Sequence, residues 1–66
     1  MNHEWRRGSI ELVPGYTITD ADGRPVSRAE GVDFALEGGF VNVRLSGAPH
    51  TQLVSAPAVR LITCEP

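Results

Sequence analysis

The feature that most constrains the fold is a pair of glycines between two alternating runs of apolar residues. Residues 32–45 read VDFALEGGFVNVRL, with Gly38 and Gly39 at the centre. Alternation of apolar and polar residues predicts half-buried β-strands, and a two-residue Gly-Gly connection favours a tight hairpin of type I′ or II′. We therefore predict an antiparallel hairpin in this segment, and we interpret the chain as a small β-protein.

The two-residue loop also predicts the register of this hairpin. Glu37 faces Phe40, and each step outward pairs the next two residues. Since side chains alternate along a strand, one face then carries only apolar residues. These residues are Val32, Phe34, Leu36, Val41, Val43 and Leu45. On the opposite face Asp33 meets Arg44, an opposite-charge pair of a kind that contributes a few tenths to roughly 1 kcal/mol.

A helix is the alternative for the first half of this segment. Ser27 followed by Glu30 is a capping-box pattern, which favours a short helix over residues 28–37. Gly31 inside such a helix costs about 1 kcal/mol relative to alanine, and Phe34 would leave its apolar face. The sequence favours the hairpin and leaves the helix open.

The rest of the chain consists of short segments rich in β-formers, separated by glycine and proline. We predict strands over residues 9–13, 16–19, 50–54 and 58–63 in addition to the hairpin. Short strands at this spacing are typical of sandwiches and barrels, and closure removes vulnerable edges. The predicted fold class is mainly β, a five- to six-stranded antiparallel barrel or roll. We place one domain at residues 9–66 and a loose segment at residues 1–8.

The last predicted strand carries apolar residues on both faces. Strict alternation puts Val59 and Leu61 on one face and Ala58, Arg60 and Ile62 on the other. This pattern predicts that a second strand or a second subunit covers one of the faces.

Residues 54–62, which read VSAPAVRLI, resemble the close of SH3-like barrels. In those proteins a proline-bearing tight turn precedes a final short strand. The resemblance implies the broad SH3-like architecture, which hosts many functions. The N-terminal half lacks the acidic-aromatic motif of SH3 domains that bind proline-rich peptides, so the resemblance implies no such ligand.

The length and composition indicate a domain whose own core gives only marginal stability. A chain of 66 residues buries only about 60% of its unfolded surface. Its single cysteine, Cys64, excludes an internal disulfide. Small domains commonly gain stability by self-association, and we expect a homo-oligomer.

Charge and hydropathy point to a cytoplasmic protein without a strong electrostatic field. The formal net charge is −2, and 41% of the residues are hydrophobic. No apolar run is long enough to span a membrane, and the N-terminus lacks the apolar core of a signal peptide. All six basic residues are arginine. This usage suggests a GC-rich bacterial or phage genome, and hence an accessory protein of a phage or mobile element in a bacterial host.

No residue pattern predicts catalysis, a metal or a cofactor. His3, His50 and Cys64 do not have the close paired spacing of zinc ligands. Asp20 and Asp22 lack the continuation of a calcium loop, and we expect them to bond backbone amides in a turn. The chain has no nucleophile elbow, and a core this small leaves little room for a substrate pocket. We expect a protein that is not an enzyme.

One candidate binding surface is the cluster Trp5-Arg6-Arg7, with Arg44 and Arg60 as further members. An exposed tryptophan beside arginines is suited to stack on bases and contact phosphates, as in proteins that bind single-stranded nucleic acid. Eight acidic residues and the absence of lysine weigh against this interpretation. Alternatively, Trp5 packs over the barrel opening.

Phe40 provides the other candidate, because the hairpin register places it outside the apolar stripe. With Ala35 and either Tyr16 or Val13 it would form an outer apolar patch, suited to a protein partner or a second copy. We favour this interpretation, a non-enzymatic interaction or assembly module. The candidate binding residues are Trp5, Arg6, Arg7, Phe40, Arg44 and Arg60.

Overall fold

Seven β-strands and one 3₁₀ turn make up the part of the chain that the structure describes. The structure is a computed structural model, and it describes residues 4–65. The strands are β1 (Arg6–Leu12), β2 (Ile18–Thr19), β3 (Pro25–Val26), β4 (Arg28–Glu37), β5 (Phe40–Arg44), β6 (Gln52–Ser55) and β7 (Val59–Cys64), with the 3₁₀ turn Ala56–Ala58 before β7. Five strands form an antiparallel sheet in the order β6-β5-β4-β1-β7, while β2 and β3 form a separate hairpin.

The central hairpin has the predicted register. β4 and β5 pair Glu37 with Phe40, and the pairing continues outward to Asp33 opposite Arg44. Gly38 has a φ of 59°, while Gly39 lies outside the positive region. Positive φ at the first central residue alone identifies the type II′ turn. The helical alternative over residues 28–37 is wrong, because all ten of these residues belong to β4.

The core lies on one face of the five-stranded sheet, which we call the inner face. Its buried apolar side chains are Ile10, Leu12, Ile18, Val32, Phe34, Val41, Val43, Leu45, Val54 and Ala58. Five of the six residues of the predicted hairpin stripe are among them. The sixth, Leu36, is 68% exposed, so its predicted burial is wrong. The hairpin extends beyond the residues that cover the inner face, which leaves this last apolar position uncovered.

The sheet is open, which corrects the prediction of a closed barrel. Within residues 4–65, β6 pairs only with β5 and β7 only with β1. Closure would require a ladder of hydrogen bonds between β6 and β7. The backbone of the 3₁₀ turn between these strands instead bonds to other segments of the chain. Its first residue, Ala56, donates an N–H to the carbonyl of Gly39, and its last, Ala58, accepts from Val13. The proline-bearing turn before a final strand is present, but it redirects the chain without forming a hairpin.

A bulge in β7 changes the faces predicted for the last strand. Leu12 pairs with Val59, whereas Glu11 pairs with Leu61, so Arg60 is the extra residue. Ile62 lies opposite the buried Ile10 and therefore on the inner face. Val59 and Leu61 thus lie on opposite faces, because the extra residue interrupts the alternation that the prediction assumed.

The small hairpin of β2 and β3 is connected by an Asx-type turn. One carboxylate oxygen of Asp20 accepts the backbone N–H groups of Asp22 and Arg24, both at 2.9 Å. This is the backbone-bonding role expected for Asp20. The side chain of Gln52 in β6 bonds both the N–H and the carbonyl of Thr19, and so ties this hairpin to one edge of the sheet. No helix in the described part of the chain is long and apolar enough to cross a membrane.

Candidate protein-binding surface

The face of the sheet opposite the core, here the outer face, is partly covered by Trp5. The register of β1 with β4 places Trp5, one residue before β1, next to Ala35. The guanidinium carbon of Arg44, on β5, lies 4.3 Å from the centroid of the indole ring. The indole must therefore extend across β4, which explains why Ala35 is only 1% exposed. Trp5 packs on the sheet itself, with 37% of its surface exposed.

Arg44 is held by two neutral groups. Besides the indole, its Nε donates a hydrogen bond to Oγ1 of Thr51 at 3.0 Å. Asp33 lies opposite Arg44, as predicted, but its carboxylate contacts Nη1 of Arg7 at 3.2 Å instead. Cation–π stacking on tryptophan is typically worth about 0.5–1 kcal/mol at exposed sites. The Trp5–Arg44 pair therefore holds Trp5 against the outer face.

An exposed apolar pair lies beside this covered region. Phe40 on β5 is 50% exposed and Leu53 on β6 is 62% exposed. Asn42 pairs with Leu53, and Phe40 is two residues from Asn42, so Phe40 and Leu53 are diagonal neighbours on the outer face. We call Trp5, Phe40 and Leu53 the outer patch.

The composition of the outer patch differs from the prediction. Phe40 is exposed on the outer face, as the hairpin register indicated. Ala35, predicted to be part of the patch, is buried under the indole instead. Tyr16 is 55% exposed, and it lines a groove with Leu12, Leu53 and Ala58 along the free side of β6. Leu53 was not predicted, because only the pairing of β6 with β5 places it beside Phe40.

Asn42 provides a polar centre beneath the patch. It is only 6% exposed. Its Nδ2 donates to the backbone carbonyl of Ala35 at 3.5 Å and to Oε1 of Glu37 at 3.3 Å. A buried amide with bonded partners fixes the local geometry, since an unsatisfied one would carry a desolvation cost. The apolar residues of the patch therefore lie on a rigid platform.

The arginines of the candidate surface do not form one cluster. Arg7 and Arg44 lie on the outer face, whereas Arg6 pairs with Phe34 and therefore belongs to the inner face. Arg6 lines a groove of about 420 Å³ with Phe34, Leu36 and Ile62 at the hairpin end of the molecule. The remaining candidate, Arg60, lies on β7 at the bulge.

Several arginines are also occupied by acidic side chains. Nη1 of Arg60 lies 3.5 Å from the carboxylate of Glu11, and Nη2 of Arg28 lies 3.6 Å from that of Glu30. Arg7 contacts Asp33 as described above. These exposed pairs contribute little to stability, but they lower the positive potential available to a phosphate.

Within residues 4–65, no three His, Cys, Asp or Glu side chains are grouped closely enough to hold a metal ion. His3, one of the potential ligands, lies outside the described residues. Comparisons with protein-family models, curated proteins and solved structures found no match to this chain.

Replacing Arg44 by alanine tests the packing of Trp5. We expect Arg44→Ala to lower the free energy of unfolding by about 0.5–1 kcal/mol and to shift the Trp5 emission to longer wavelength. The emission shifts because the indole loses the guanidinium group that covers it and becomes more exposed to water. Urea titration followed by Trp5 fluorescence measures both effects, with Arg24→Ala as the control in an exposed turn. An unchanged emission maximum in Arg44→Ala would contradict the stacking.

Proposed function

We propose that this protein is a non-enzymatic interaction module that binds another protein through the outer patch. The observation that carries the proposal is the exposure of two large apolar side chains, Phe40 at 50% and Leu53 at 62%, next to each other on the outer face. The centre of a protein interface is typically apolar and enriched in aromatic residues, with a polar rim around it. Arg44 and Thr51 supply such a rim on one side.

The rigidity of the platform favours binding. Phe40 and Leu53 project from paired strands, so their backbones are ordered before a partner arrives. Preformed surfaces lose less conformational entropy on association than loops do. An aromatic anchor on an ordered sheet is the kind of residue that often dominates binding energy. We therefore expect Phe40 and Leu53 to contribute most of the affinity.

Two substitutions test the proposal directly. Phe40→Ala and Leu53→Lys each remove one member of the patch, and we expect each to weaken partner binding by about tenfold or more, or about 1.4 kcal/mol. A partner is first isolated with the tagged protein from its native host and purified, and its dissociation constant is then measured by calorimetry. Both residues are exposed, so the fold should persist, as circular dichroism will check.

Leu61→Lys is the matched control for Leu53→Lys. Leu61 is 56% exposed on the outer face, but it lies on β7, at the opposite edge of the sheet. We expect Leu61→Lys to leave the affinity for this partner unchanged. A purified partner that binds wild type, Phe40→Ala and Leu53→Lys equally well would show that the outer patch is not the binding surface.

Binding of single-stranded nucleic acid is the second candidate function. It is favoured by the presence of Trp5, Arg7 and Arg44 on the same face. The existing stack of Arg44 on the indole and the ion pair of Arg7 with Asp33 weigh against it. This candidate predicts that oligonucleotides at low salt change Trp5 fluorescence and that rising ionic strength abolishes the change. The absence of any response would remove it.

A further inference from the structure

We infer that the free edge of β7 pairs with β7 of a second copy of this chain, antiparallel about a two-fold axis that passes beside Ile62. The pairing would join two five-stranded sheets into one continuous sheet of ten strands. It uses the edge farthest from β6, so it is independent of partner binding through Phe40 and Leu53. Three properties of β7 favour this pairing: the direction of its free backbone groups, its length, and the positions of the charged residues at its two ends.

The backbone groups of β7 that face away from β1 can be assigned from one hydrogen bond. Glu65 donates its N–H to the carbonyl of Arg7 at 2.9 Å. In an antiparallel ladder, alternate residues direct both of their backbone groups to the same neighbour. Thr63 and Leu61 therefore bond toward β1. Ile62 and Cys64 direct their N–H and C=O groups to the free edge, whereas the bulge at Arg60 interrupts the alternation there.

Ile62 and Cys64 specify the register between the copies. Two antiparallel strands share a face only when residues of the same parity lie opposite each other. Among such registers, the one that places Ile62 opposite Ile62 makes a hydrogen-bonded pair at the axis. It also places Arg60 opposite Cys64 of the second copy, twice by symmetry. The N–H and C=O groups of Ile62 then bond to those of Ile62 in the second copy, as the isologous geometry of a two-fold dimer requires.

The other edge of the sheet, formed by β6, offers a shorter strand for pairing with a second copy. β6 has four residues, against six in β7. The hydrogen bond from Ala56 to Gly39 indicates, by the same alternation, that Leu53 and Ser55 of β6 direct their backbone groups outward. Gln52 adjoins this edge and already bonds Thr19 through its side chain. Exposed edges of extended apolar strands are templates for pairing, and β7 is the longer and less covered of the two.

The side chains of β7 favour a second copy in antiparallel orientation. A basic residue, Arg60, lies near the start of the strand, and an acidic residue, Glu65, follows its end. Antiparallel pairing brings opposite charges near each other at both ends, whereas parallel pairing would align like charges. Leu61 is 56% exposed and Ile62 is half-buried, so the added strand would shield apolar surface on both faces.

Sedimentation equilibrium gives the first test. We expect the wild-type protein to approach twice its 7.1 kDa chain mass as concentration rises. Leu61→Lys should raise the dimer dissociation constant by about tenfold or more, because it replaces an apolar contact near the axis with two like charges. Leu53→Lys is the matched control, and it should leave the dissociation constant unchanged. A wild-type protein that stays monomeric at high concentration would overturn the inference.

Amide hydrogen exchange measures, residue by residue, whether the free edge of β7 becomes protected in the dimer. The amides of Ile62 and Cys64 should exchange more slowly as the concentration rises, since they gain bonds only in the dimer. The amide of Thr63 bonds β1 within one chain, so its exchange should follow the stability of the monomer. Protection that rises with concentration at β6, but not at Ile62 and Cys64, would show association through the other edge.

A single added cysteine tests the register. Arg60→Cys places a thiol opposite Cys64 of the second copy, at a cross-strand Cα separation of roughly 4.5–5.5 Å, which suits a disulfide. Mild oxidation should yield a reducible covalent dimer whose peptide map shows a 60–64 link. Wild type should not crosslink through Cys64, because its two copies lie far from the axis on opposite sides. Equal crosslinking by Leu53→Cys, the control on β6, would overturn the assigned register.

Discussion

Replacing Phe34 by alanine is expected to leave the protein largely unfolded at 25 °C. Phe34 is 3% exposed and lies on the inner face between β1 and β5. Truncating a buried phenylalanine to alanine typically costs about 3–5 kcal/mol. A core of this size rarely supplies more than about 3–5 kcal/mol in total, so the loss is comparable to the whole stability. Circular dichroism and urea denaturation will measure it.

Phe40→Ala is the matched control on the same hairpin. Phe40 is 50% exposed on the outer face, and we expect its truncation to change the free energy of unfolding by less than about 0.5 kcal/mol. The two substitutions remove the same atoms six positions apart, so their difference reports only which face is buried. If Phe40→Ala unfolds the protein while Phe34→Ala is tolerated, the faces of the hairpin are inverted.

The central hairpin could be predicted because its local signals agree with each other. The Gly38-Gly39 turn, the alternation of β4 and β5 and the cross-strand pairs all specify one register. The competing helix had a capping pattern at its start, but it required Gly31 in a helix interior and left Phe34 off its apolar face. Where several short-range signals coincide, a sequence of this length determines a hairpin without knowledge of the rest of the fold.

The features that escaped prediction depend on contacts between distant segments. The bulge at Arg60 is visible only once β7 is paired with β1, so alternation alone assigned the wrong faces to Val59 and Leu61. The exposure of Leu36 depends on where the core ends, a property of the whole sheet. Similarly, the openness of the sheet depends on the backbone bonds of the 3₁₀ turn, which involve Val13 and Gly39.

The candidate surface was predicted only in part for the same reason. Phe40 followed from the hairpin register, because its partner is three residues away in sequence. Leu53 comes from a four-residue strand that no turn connects tightly to β5, so its position next to Phe40 required the sheet order. The stack of Arg44 on Trp5 joins residues far apart in the chain, and no local pattern encodes it.

The second large effect is expected at Gly8, where the backbone of β7 occupies the space that a side chain would need. A Cβ atom built on Gly8 would lie 1.9 Å from the backbone oxygen of Thr63 and 2.9 Å from its carbonyl carbon. Both opposing atoms are backbone, so no side chain can rotate to relieve the clash. We expect Gly8→Ala to lower the free energy of unfolding by about 2–3 kcal/mol, as overpacking of a tight contact does.

Gly39→Ala is the control for Gly8→Ala, because a Cβ atom at Gly39 meets nothing within 4 Å and its φ is not positive. We expect Gly39→Ala to stay within about 0.5 kcal/mol of wild type in urea denaturation. Equal stabilities of Gly8→Ala and wild type would show that β1 and β7 are not paired as described.

The same substitution also links the fold to the proposed dimer. An alanine at Gly8 pushes β7 away from β1, and the free edge of β7 is the surface inferred to pair with a second copy. We therefore expect Gly8→Ala to weaken dimerisation under conditions in which most chains are still folded, whereas Leu61→Lys should weaken it without lowering the free energy of unfolding of the monomer. Sedimentation equilibrium and urea denaturation of the two variants would distinguish displacement of β7 from a changed side chain on an undisplaced β7. Displacement should weaken both the fold and the dimer, whereas the changed side chain should weaken only the dimer.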